Sequence, residues 1–103
     1  MVRFPCQLVV VDDSSWPTIV EARFQDANGR WVGVIDKEPF FAAGDDSPGR
    51  GWVCGTEVRR EGHGYAARIV MSLAVPYHLE TTEGAETVEV WARDVVDDEP
   101  SGE

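Results

Sequence analysis

The segment from Trp16 to Lys37, WPTIVEARFQDANGRWVGVIDK, constrains the fold more than any other stretch of this chain. It reads as two strands joined by a tight turn. Asp26-Ala27-Asn28-Gly29 supplies the turn, because Asn and Gly tolerate the positive φ that a hairpin loop needs. The arm before it places Val20, Ala22 and Phe24 on one face and Glu21, Arg23 and Gln25 on the other. That period of two marks a strand with one face in water. The arm after it, Trp31 to Ile35, is apolar at nearly every position. Such a run predicts a central strand covered on both sides.

The other segments extend this pattern. Residues 4–12, FPCQLVVVD, read as a first strand, with Cys6, Leu8 and Val10 alternating with Gln7, Val9 and Val11. Pro5 belongs at the start of that strand or on an edge, where its missing N–H costs nothing. Residues 52–60 place Trp52, Cys54, Thr56 and Val58 on one face and Glu57 and Arg59 on the other. A turn at Glu61-Gly62-His63-Gly64 leads into a strand from Tyr65 to Leu73, with Ala67, Ile69, Met71 and Leu73 on one face. Thr87 to Asp94 is the last strand, which Val95 and Val96 extend; Val88, Val90 and Ala92 lie opposite Glu89, Trp91 and Arg93.

Two stretches break the pattern. In 38–51, EPFFAAGDDSPGRG, and 74–86, AVPYHLETTEGAE, Pro and Gly rule out a long regular element. Phe40 and Phe41 need burial and are expected to plug one end of the sheet; DDSPGRG reads as a mobile loop. No run of about ten residues shows helical periodicity. The chain therefore reads as all-β: a small, roughly six-stranded, mostly antiparallel barrel or half-open roll, closure being the economical way to remove exposed edges. A two-sheet sandwich is the alternative. At 103 residues one domain is expected, spanning 1–96, with 97–103 as an acidic frayed tail.

Charge narrows the partners. The formal net charge is −10, and setting aside Asp97, Asp98, Glu99 and Glu103 still leaves −6. Such a surface repels phosphate backbones and anionic lipids, so neither nucleic acid nor membrane is expected as a partner. It would attract a basic protein, or it serves solubility alone. With no signal-peptide pattern, no apolar run near the ~20 residues of a membrane helix and two cysteines, Cys6 and Cys54, a cytoplasmic protein with reduced thiols is expected. A Cys6–Cys54 disulfide is the less favoured alternative.

The pattern D-x-x-G-R-x-x-x-x-x-D-K-x-P from Asp26 to Pro39, followed by Leu79-Glu80-Thr81-Thr82-Glu83-Gly84, resembles a group of small uncharacterised bacterial proteins. The resemblance covers most of residues 18–95. It implies a β-barrel-like domain and transfers no catalytic residue.

Candidate sites are few. Trp91, on the polar face with Glu89 and Arg93, is what a protein-binding surface would look like, unless the 38–51 loop or the C-terminus covers it. Trp31 and Trp52 are expected in the core or on a sheet face, and Trp16 in a loop. Asp36 and Lys37, at a strand exit beside Phe40 and Phe41, form a second candidate, with surface ion pairs as its bland reading. His78 and Glu80 could act as acid or base if their segment is extended; otherwise they belong to a loop stabilised by side-chain bonds to backbone. His63 reads as an exposed turn residue. No pair of Cys and His has zinc-ligand spacing, and no nucleotide, protease or hydrolase motif occurs, so no metal, cofactor or catalytic residue is assigned. The expected function is a non-catalytic protein-interaction domain with an acidic surface, with homodimerisation through a barrel face or neutralisation of a basic toxin as variants. The alternative is a small-ligand barrel or minor enzyme with its pocket near Phe40, Phe41, Asp36, His78 and Glu80.

Overall fold

The computed structural model describes residues 1–41 and 49–97. Six antiparallel strands form a strongly curled half-barrel: β1 (Val2–Asp12), β2 (Ile19–Gln25), β3 (Trp31–Lys37), β4 (Arg50–Glu61), β5 (Arg68–Ser72) and β6 (Thr87–Trp91). A two-residue β7 (Val96–Asp97) follows. Helical structure among the described residues is confined to single 3₁₀ turns at Glu38–Phe40, Gly64–Ala66 and Ala92–Asp94. The expected all-β half-open roll is what forms. The tail from residue 98 onward, and residues 45–48 of the loop read as mobile, lie outside the described residues.

The strand order is β3-β2-β1-β4-β5-β6, and β7 returns to pair with β1. Strand β1 thus holds the roll together. Its first half pairs with β4 from Val2↔Gly55 to Gln7↔Arg50, and its second half pairs with β2 from Gln7↔Arg23 onward. On the β2 side, Val2 and Arg3 pair with β7 instead. The Leu8 N–H donates to the Gly49 carbonyl on the β4 side. Alternation along a strand then turns the backbone of Pro5 and Gln7 toward β2. Continuing the register would set Pro5 opposite Gln25. Pro5 has no N–H to donate, and the β1–β2 ladder stops at Gln7↔Arg23. The missing donor therefore opens a split in the sheet, with β7 beyond it.

The concave face carries the core. Phe4, Val20, Ala22, Phe24, Val34, Val53, Ile69, Met71, Leu73, Leu79, Val88 and Val90 are buried together, with the Phe4 and Phe24 rings packed edge to face at 4.6 Å. In β4 the inward residues are Val53, Gly51 and Gly55, while Trp52 and Cys54 are half-buried on the opposite face. Crowding fixes this choice. A Cβ on Gly51 would lie 2.6 Å from the Phe41 carbonyl oxygen, and one on Gly55 would lie 2.6 Å from that of Ser72. Bulges at Val11 and Val58 shift the register of β1 against β2 and of β4 against β5.

Three expectations need correction. The last strand ends at Trp91 rather than Asp94, where the Ala92–Asp94 3₁₀ turn separates it from β7. Strand β3 is not central: it ends the strand order, and Trp31 and Ile35 are exposed. An apolar run is consistent with burial on both faces but does not compel it. The outer edge of β3 is instead covered by a loop, where the Thr82 N–H donates to the Gly33 carbonyl at 2.8 Å. The fifth strand starts at Arg68, because the Gly64–Ala66 turn takes Tyr65 out of the ladder and into solvent.

Candidate functional site

The first predicted site surrounds Trp91. The Arg68 guanidinium lies 4.9 Å and that of Arg93 5.3 Å from the centre of the Trp91 ring. Arg68 also approaches Glu89 at 3.7 Å and donates to Asn28 Oδ1 at 3.1 Å. Asn28 belongs to the hairpin turn, which Asp26 caps by accepting from the N–H groups of Asn28 and Arg30. Gly29 takes the positive φ there. Trp91 is therefore half-buried under its own cations and ties β6 to the hairpin, aided by the Ala27 N–H on the Glu89 carbonyl.

The second predicted site lies at the other end of β3, whose seven residues span about 20 Å from the hairpin turn beside Trp91. Phe41 is fully buried, and Phe40 stacks on Tyr77 with ring centres 4.7 Å apart. Lys37 Nζ lies 5.8 Å from the centre of the Phe40 ring, and Asp36 Oδ1 accepts from the Lys37 backbone N–H. His78, next to Tyr77, has a left-handed φ of 56° and is exposed. Asp36, Lys37, Phe40 and His78 thus gather at one end of the roll. There the Phe40 and Tyr77 rings stack on one another and the Phe41 side chain is buried. His78 and Glu80 are both exposed. The two groups of predicted residues are separate clusters, not one site.

A further feature was not foreseen. Where β1 and β2 part, a cleft of about 260 Å³ opens beside Trp31. Pro5 and Gln7 line it from β1, Arg23 and Gln25 from β2, Phe4, Phe24 and Val90 from the floor, and Asp94 from the turn before β7. A neighbouring hollow shares Gln7, Arg23 and Trp31. Trp31 is 60% exposed. Arg23 is anchored through Nε to Glu21 Oε1 at 2.9 Å, and its Nη groups bond to no described residue. Glu21 can reach across because Gly33 beside it has no side chain; a Cβ there would collide with the carboxylate. The sequence signals were Pro5, read as a strand start, and the outward Arg23 and Gln25.

Neither cysteine is part of a disulfide. Cys6 is buried on the inner face and Cys54 half-buried on the outer face of the β1–β4 pair. Burial pushes the Cys6 thiol up to about 12, against a smaller opposing hydrogen bond from the Gly51 backbone. Among the described residues no three His, Cys, Asp or Glu side chains gather as metal ligands. No described helix is long and apolar enough to cross a membrane. No family model, curated protein or solved structure matches the chain.

Proposed function

We propose that this chain is a non-catalytic protein-interaction domain whose contact surface is the outer face of β3, β2 and β1. The observation that carries this reading is Trp31, a large indole left exposed on a sheet face that it shares with Ile35 and Val9. Exposed apolar side chains clustered within a polar surround mark contact sites, and Trp is the residue most enriched among those that dominate binding energy. Trp91 supports the reading less than the sequence suggested, since Arg68 and Arg93 flank its ring. The acidic remainder of the surface keeps the domain soluble and steers a partner's approach. A cytoplasmic setting belongs to the same proposal, because a reducing compartment keeps cysteines such as Cys6 and Cys54 out of disulfides.

The test is affinity capture from the native host with the wild-type chain and Trp31→Ala, read by native mass spectrometry. A specific partner held by the wild type and lost from Trp31→Ala, with an unchanged melting temperature, is the expected result. Equal capture by both chains would remove Trp31 from the interface and this reading with it.

A further inference from the structure

We infer that the cleft between β1 and β2 receives an extended segment of the partner protein, seated through peptide amide groups and one apolar anchor side chain. This rests on the interaction reading above and names the mode of contact. Three observations converge on an extended peptide.

The first is the sheet itself. The β1–β2 ladder ends at Gln7↔Arg23, and β7 takes up pairing only at Arg3. In the interval, the backbone of Gln25 faces the split with no ladder partner on that side, and Pro5 presents a carbonyl but no N–H. A sheet with an unfilled interval in its ladder is a template for a short extended strand, whose own N–H and C=O groups continue the pairing.

The second is the polarity of the walls. Gln7 and Gln25 each carry both a donor and an acceptor. The Arg23 Nη groups donate from one side, and Asp94 accepts from the other. Amide groups, which also donate and accept, match this balanced set. A phosphate chain, which only accepts, matches it poorly, and the net charge of −10 repels one.

The third is the floor. Phe4, Phe24 and Val90 lie beneath the opening, and the exposed Trp31 ring stands at its rim. One apolar side chain of the segment would sit on this floor and pack against the indole. That is the anchor-in-pocket arrangement of strong protein contacts.

The experiment is selection of a random hexapeptide phage library on the full chain, followed by fluorescence anisotropy of the selected peptides. Each is measured on the wild type, on Gln25→Trp, which fills the cleft from an exposed position, and on Val58→Ser, which alters an exposed position of β4 outside both the cleft and the β3–β2–β1 contact face. The expected result is enrichment of peptides with a central Leu, Ile or Phe. Their affinity should fall about tenfold or more in Gln25→Trp and change less than about twofold in Val58→Ser, with both variants melting like the wild type. Selected peptides should also displace the captured partner. Failure to enrich any peptide, or peptides that bind Gln25→Trp as well as wild type, overturns the cleft proposal. Single-stranded oligonucleotides binding at this cleft in place of peptides would overturn it as well. If the partner is captured through Trp31 but no peptide competes, the cleft proposal falls and the interaction reading stands. If Trp31→Ala captures as the wild type does, the broader reading falls first.

Discussion

Phe41 and Trp31 lie in segments whose local sequence predicts the reverse of what each does. Phe41 sits in a stretch broken by Pro and Gly, yet none of its surface is exposed. Trp31 begins a strand whose first five residues carry no polar side chain, yet most of its surface meets water. The difference is one of position in the roll. Phe41 follows a 3₁₀ turn that returns the chain over the inner face of β4, where its backbone bonds to Trp52 and crowds Gly51. Trp31 stands on the outer face of the last strand in the order, where nothing is stacked over it among the described residues. Hydropathy says that a side chain favours burial, and topology decides whether a place exists for it.

The sharpest way to break this contrast is to truncate the buried ring. Phe41→Ala removes a fully buried aromatic side chain and should cost about 3–5 kcal/mol, a large part of the stability of a domain this size. Denaturant unfolding measures it. A loss under about 1 kcal/mol would mean that the ring seals no core, and that the end of the roll it fills is soft.

Much of the architecture was legible because period-two patterns survive folding. Val20, Ala22 and Phe24 turn inward together, as do Ile69, Met71 and Leu73, since alternation is fixed by the pleat and not by distant contacts. What the pattern misjudged were choices made by partners far away in sequence. In β4, hydropathy favours the Trp52 and Cys54 face, but the Phe41 and Ser72 carbonyls need the close approach that Gly51 and Gly55 allow, so Val53 faces the core. The cleft was hidden for a related reason. Pro5 announces a missing donor, but only the register shows that the missing bond would have gone to Gln25. Of the predicted site residues, Asp36, Lys37, Phe40 and His78 do come together, while Trp91 is occupied by Arg68 and Arg93.

The two cysteines repeat the inside–outside contrast on one strand pair and allow a chemical probe of it. Burial holds the Cys6 thiol neutral, with its pKa up to about 12 against an ordinary value of 9.0. The folded state keeps the proton that the unfolded chain gives up. The stabilisation is therefore complete below about 9 and is lost as pH rises toward about 12, at roughly 1.4 kcal/mol per pH unit. Stability curves from pH 8 to 11 should fall more steeply for the wild type than for Cys6→Ala. Parallel curves would place Cys6 in contact with water. At pH 8 a thiol reagent should modify Cys54 well before Cys6.

Gly51 tests the crowding that Phe41 imposes. Gly51→Ala puts a Cβ 2.6 Å from the Phe41 carbonyl and 2.8 Å from Leu8 Cδ1. The first neighbour is backbone and must shift, so the substitution should cost about 1–3 kcal/mol. In a Phe41→Ala background the penalty should shrink, because the chain above Gly51 is freer to move. Strictly additive losses would show that the two positions are not coupled.

The smallest effect is the most informative. Trp31→Ser removes a ring that is 60% exposed and on which no described contact depends, so stability should change by about 0.5 kcal/mol or less. An exposed indole contributes little to a fold, and its replacement by a polar side chain removes an apolar patch that the folded state must hold in water. If the ring is kept for binding, the substitution should leave unfolding untouched while abolishing partner capture, separating the two properties in one variant. A loss of about 2 kcal/mol or more on unfolding would show instead that Trp31 packs against the rim of the cleft. Its exposure would then be a structural feature of the split between β1 and β2, and the case for a contact surface there would lose its main support.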